Sequence, residues 1–164
     1  MMRAMGLCLA IPLIFLSGCT YNQGELIRKD VSSIYVPILQ NHSTDRDLEF
    51  ELTRALIDEI ERKTSLTIVS DRGRAQTELT GAIFDFDRTV LSENEVDQVR
   101  ELQVVVKLRF TWTDLERQEI LVREPYFQEA ASARIQLGET DDDAAQEALR
   151  LIAQRMVERM ESSW

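Results

Sequence analysis

Apolar residues recur along this chain with two different periods, and the switching between them outlines a fold. Between residues 48 and 63, Leu48, Leu52, Ala55, Leu56, Glu59 and Ile60 fall near a 3.6-residue repeat. Glu49, Glu51, Arg54, Asp58, Glu61 and Arg62 lie mostly on the other side, which predicts an amphipathic helix. A second helical repeat, Ala145, Leu149, Ile152, Met156 and Met160, predicts a helix opened by Asp141-Asp142-Asp143 and reaching about Met160. The other period is two. In residues 102–112, Leu102, Val104, Val106, Leu108, Phe110 and Trp112 share one face. Gln103, Lys107, Arg109 and Thr111 share the other, with Val105 the exception. That is a strand with one buried and one wet face.

Shorter β-prone runs complete the outline. Residues 34–38 form a strand that ends near Pro37, which has no N–H for a central ladder. Residues 41–47 are a polar loop, residues 66–69 a strand, residues 70–74 a turn with Gly73, and residues 78–91 a long strand broken at 92–94. A last strand covers about 118–128, where Pro125 predicts an edge or a bend. The order is strand, helix, strand, a meander of strands, then helix. A strand-helix-strand crossover makes its two strands parallel and right-handed, whereas a meander is antiparallel. The expected fold is therefore α+β: a two-layer sandwich with one mixed four- to five-stranded sheet and both amphipathic helices on one face.

The first nineteen residues follow neither period. Arg3 supplies a positive start, residues 7–16 are apolar, and Ser17-Gly18-Cys19 follows. This is the layout of a secretory signal, and the apolar run, interrupted by Pro12, is too short for a membrane-spanning helix of about 20 residues. Leu16-Ser17-Gly18-Cys19 resembles a bacterial lipobox, in which the thiol accepts a diacylglyceryl group and small residues fit a signal peptidase. The expected division is a signal peptide at residues 1–18, a lipidated tether at 19–30 beginning with acylated, palmitate-bearing Cys19, and a single domain at 31–164. Two or three acyl chains make a stable anchor. Thr20, in place of an Asp that favours inner-membrane retention, points to the outer membrane.

Composition narrows the picture further. The chain has 164 residues, 44% hydrophobic and 29% charged, an ordinary globular balance for one domain. Its formal net charge is −10, and removal of Arg3 with the signal leaves 18 basic against 29 acidic residues. So acidic a chain has no electrostatic footprint for nucleic acid. Of the two cysteines, Cys8 lies in the signal, so the exported domain is expected to fold without an internal disulfide.

Ile34-Tyr35-Val36-Pro37, Asn41, Thr44, Leu48-Glu49, Leu52-Thr53, Ala55-Leu56, Glu59-Ile60, Arg62 and Thr64 occur in an order that resembles the opening of the lipopolysaccharide-assembly lipoprotein (LptE) family. The similarity continues at Leu79-Thr80-Gly81-Ala82-Ile83, in the hairpin over residues 90–99 and at Trp112-Thr113-Asp114. The resemblance implies a sheet with two helices on one face. It also implies a job: a non-enzymatic plug and assembly factor inside an LptD-type outer-membrane β-barrel, helping to place lipopolysaccharide in the outer leaflet. Some turns depart from the pattern. Thr20-Tyr21-Asn22 stands where a Gly-Tyr pair is frequent, Gln76 where an acid is, and Leu115-Glu116-Arg117-Gln118 where a glycine is.

Signals for chemistry are sparse. His42 is the sole histidine and sits in a polar loop. Asp85 and Asp87 share one side of a strand, a pairing that suits acid–base or metal chemistry but equally a solvated face. The Asp141–Asp143 run lacks the alternation and Gly of a calcium loop and suits a helix N-terminus. No cofactor is expected. Anionic lipid needs Lys or Arg, and the candidates are Lys107 and Arg109 on the wet face of the long strand, with Arg72 and Arg74 in a turn as a second basic spot. The bland alternative is that Lys107 and Arg109 pair with acids on neighbouring strands. Three functions are weighed: the barrel plug, an auxiliary lipoprotein subunit of another envelope transport or secretion complex, and a lipid-anchored hydrolase using Asp85 and Asp87.

Overall fold

The computed structural model describes residues 31–93, 99–134 and 140–161; Cys19 and the tether lie outside the described residues. The elements are β1 (Ser33–Tyr35), β2 (Gln40–Asn41), α1 (Leu48–Lys63), β3 (Thr67–Ile68), β4 (Thr77–Glu93), β5 (Val99–Asp114), β6 (Glu119–Arg134) and α2 (Asp141–Glu161), with a short 3-10 turn at Arg72–Arg74. Five strands run in the order β3-β1-β4-β5-β6, and β2 adds to β4. β1 is parallel to β3, as a crossover through α1 requires, and also parallel to β4. β4, β5 and β6 form the antiparallel meander. The sheet is mixed, and the fold is the expected α+β sandwich.

Several boundaries differ from the sequence reading: β1 and β3 are shorter and β5 longer than expected, and three further differences bear on the sheet. Gln40 and Asn41 pair in parallel with Ala82 and Ile83 as the two-residue β2, where a loop was expected to begin at Asn41. β4 continues through Ser92 to Glu93, with register shifts beside Ser92 that mark the anticipated break as an irregularity within the ladder. β6 continues six residues past Gln128 because its small residues Ala131 and Ala133, 3% and 6% exposed, give α2 a close seat.

The core lies between sheet and helices. Leu102, Val104, Val106, Leu108, Phe110 and Trp112 are all buried, while the intervening residues of β5 are half-buried or exposed. One buried cluster joins these side chains to Leu52, Leu56 and Ile60 of α1 and to Leu149, Ile152 and Met156 of α2, so both helices cover one face. Gly81 faces the same layer. A Cβ there would meet Leu39 Cδ2 at 2.9 Å and the Arg109 carbonyl at 3.0 Å, so β4 needs glycine to let these groups approach.

The ends are fixed by local chemistry. At the start of α2, Thr140 Oγ1 accepts from Asp143 N at 3.3 Å, and the Asp143 carboxylate accepts from Thr140 N at 2.8 Å. This reciprocal cap gives Asp143 its role at the helix start, and the bonds from Thr140 hold Asp143 below the usual carboxylate pKa. In the β5–β6 turn, Asp114 is buried and accepts from Glu116 N at 2.9 Å and Arg117 N at 2.8 Å. Those backbone bonds, led by the one from Arg117, lower its pKa against the opposing effect of burial. Gln118 then takes φ 54°, a left-handed conformation suited to glycine.

Candidate interaction surface

The face of the sheet away from the helices carries the residues singled out above. β5 positions Lys107 opposite Asp85 and Arg109 opposite Ala82. Between these two pairs β4 has a bulge, because Ile83 faces Leu108 while Asp85 already faces Lys107. The extra residue, Phe84, is pushed out and is 44% exposed. The Arg109 guanidinium lies over the Phe84 ring, 5.0 Å from its centroid, and His42 stacks on the same ring at 6.0 Å. Among the described residues, Arg109 is therefore held by an aromatic face rather than by an acid.

Lys107 follows the bland alternative. Its ammonium donates to Asp85 Oδ2 at 2.6 Å, and this bond raises the Lys107 pKa and lowers that of Asp85. Both groups are solvent-exposed, so the pair contributes little to stability. Arg72 is likewise engaged, donating from Nε to Glu78 Oε1 at 2.9 Å, which raises its pKa. Arg74 makes no ion pair among the described residues. Glu78 and Ala82 lie on the same side of β4, four residues and about 13 Å apart along the strand, so the two basic spots border one face. Of the four cations, Arg109 and Arg74 are the ones without an acid partner among the described residues.

The two carboxylates of β4 meet different partners. Asp85 is held by Lys107, and Asp87 accepts from Thr89 Oγ1 at 3.4 Å. Among the described residues, no group of three His, Cys, Asp or Glu is placed to hold a metal ion. His42 is exposed, with its backbone N–H on the Ile83 carbonyl at 2.9 Å. Among the described residues, no helix is long and apolar enough to cross a membrane. Reading the sequence by period missed the bulge at Phe84. Its one trace is that Ile83-Phe84-Asp85-Phe86 interrupts the strict alternation of the strand.

The family model for lipopolysaccharide assembly, LptE, matches residues 31–160, the span of nearly all the described structure. Protein XCC0632 from Xanthomonas campestris shares the fold at a TM-score of 0.54 and 11% identity, over 81% of this chain and 85% of that one. The hypothetical protein CT253 from Chlamydia trachomatis does so at a TM-score of 0.50 and 10% identity, over 79% and 98%. At these identities the likeness is one of fold alone. No curated protein matches the chain by sequence.

Proposed function

The chain belongs to the LptE family of lipopolysaccharide-assembly proteins, and on that premise we propose that it is a non-enzymatic lipoprotein of the outer membrane that plugs an LptD-type β-barrel. The observation that carries this reading is the family match over residues 31–160, which covers the whole sheet and both helices. Cys19 is the acylation site, and the tether at 19–30 keeps the domain within reach of the periplasmic leaflet and the barrel lumen. Binding and shaping the barrel is the main role. Contact with lipopolysaccharide is local and secondary, because the chain's net charge of −10 repels an anionic lipid at long range. Where contact occurs, Arg109 and Arg74 supply charge to phosphate directly, while Lys107 and Arg72 must first leave Asp85 and Glu78.

Two measurements test this reading. Mass spectrometry of the mature N-terminus should find acylated Cys19; a mature chain starting elsewhere contradicts the anchor. Lipopolysaccharide binding by the unlipidated chain should be weak and fall in Lys107→Glu/Arg109→Glu, with barrel association unchanged. Tight lipid binding abolished in that variant would reverse the order of the two roles.

A further inference from the structure

The three outer edges of the sheet are treated differently. β3 is only two residues long. β6 is long but guarded. Pro125 offers no N–H, two register shifts bend the strand, and α2 clasps it. Arg155 donates to Glu129 and to the Ala130 carbonyl, and Arg159 donates to Glu124. β4 has no such guard on its upper half. Its outer side pairs with β1 at Thr77 and Glu78 and with β2 at Ala82 and Ile83. His42 N–H then closes on the Ile83 carbonyl. Along its outer side from Asp85 to Glu93, opposite the side paired with β5, no described strand lies beside it, a run of about 30 Å. Of its charged side chains, Asp85 is engaged by Lys107 and Arg88 by Asp142, while Asp87 is exposed and accepts from Thr89 Oγ1 at 3.4 Å. Three large apolar side chains, Phe84, Val90 and Leu91, 44%, 43% and 47% exposed, accompany the open edge.

An unpaired row of N–H and C=O groups flanked by exposed apolar residues is a template for an added strand. We propose that this edge of β4 pairs with an extended segment of the β-barrel partner, and thus forms the principal plug contact; this rests on the family reading above. A second copy of the chain is disfavoured as occupant, because two molecules each with 18 basic against 29 acidic residues repel. A closed barrel wall has no free strand edge. The segment must therefore come from a luminal loop or inserted stretch, with apolar residues on both of its sides: one side meets Val90, which sits opposite core-facing Leu102, and the other meets Phe84 on the Arg109 face, with Leu91 at the register shift between Val90 and Ser92.

The test uses the full lipidated chain in the outer membrane. A photo-crosslinking residue at Asp87 or Thr89 should give an adduct with the barrel, and the same residue at Arg123 on β6 should give none. Leu91→Lys, which leaves every backbone group intact, should cut the recovered barrel at least tenfold without lowering the melting temperature. Adducts only between copies of the chain, or adducts from Arg123 but not from Asp87 and Thr89, overturn the proposal. So does unchanged barrel recovery with Leu91→Lys. If wild-type chain recovers no barrel at all, the family-based reading fails and the edge proposal falls with it.

Discussion

Replacing Val106 by Asp puts a carboxyl at the centre of the buried face of β5. Val106 is 0% exposed, and its neighbours on that face, Val104 and Leu108, are 0% and 1% exposed. Loss of the buried valine costs about 2 kcal/mol. A carboxyl enclosed without a partner costs about 2–3 kcal/mol more. Relief from α2 is small, because Glu129, directly opposite Val106, already holds Arg155. The total of about 4–5 kcal/mol is close to the whole stability of a marginal domain, about 5–15 kcal/mol. The adjacent Val105→Asp is the control. Val105 is half-buried on the open face, with Lys107 two positions along on the same side, so the change should cost about 1 kcal/mol. Urea denaturation followed by circular dichroism measures both. Burial raises the pKa of the carboxyl introduced by Val106→Asp, so the folded state binds its proton more tightly than the unfolded state does. The variant is least impaired below about pH 4, where both states are protonated, and loses stability as the pH rises. A Val106→Asp midpoint within about 1 kcal/mol of wild type, or a greater loss in Val105→Asp, refutes the two-faced strand.

Asp114→Ala should cost about 2 kcal/mol at neutral pH by orphaning the N–H groups of Glu116 and Arg117. Because the folded Asp114 pKa is lowered, that deficit is full above the unfolded value of about 4 and shrinks as the pH falls through the folded value, which urea titrations at several pH values measure. Gln118→Gly should raise stability by about 0.5–1 kcal/mol, since φ 54° suits glycine, and a lower melting temperature contradicts the turn geometry. Gly81→Ala should cost about 1–3 kcal/mol, because the new methyl meets a backbone carbonyl that cannot swing aside; unchanged stability contradicts that approach.

The elements that read well from sequence are those whose period is enforced by one buried face. α1 begins at Leu48 and ends at Lys63 as its apolar stripe predicts, and Glu59, which fits the stripe by position but not by polarity, is buried at 2% exposure. Pro125 gave both of its alternatives: β6 is an edge strand, and it gains a residue between Glu124 and Phe127 relative to β5. What period alone does not carry is registration between strands. Nothing local marks Gln40 and Asn41 as paired with Ala82 and Ile83, and the bulge at Phe84 exists only relative to its neighbour β5. The cations were placed on the correct face, but partner choice depended on that register. It gave Lys107 an acid opposite and Arg109 an aromatic ring. The glycine expected in the β5–β6 turn is absent, yet the turn keeps a left-handed residue at Gln118 with Asp114 as its brace.

Affinity purification of the tagged, full chain from detergent-solubilised outer membrane, with identification of what comes with it, bears most directly on the plug assignment. The account predicts one LptD-type β-barrel in equimolar amount, retained through high-salt washing because the contact is strand pairing and apolar packing rather than surface charge. Recovery of the chain alone, or with the subunits of a secretion or other transport complex in place of the barrel, would contradict it.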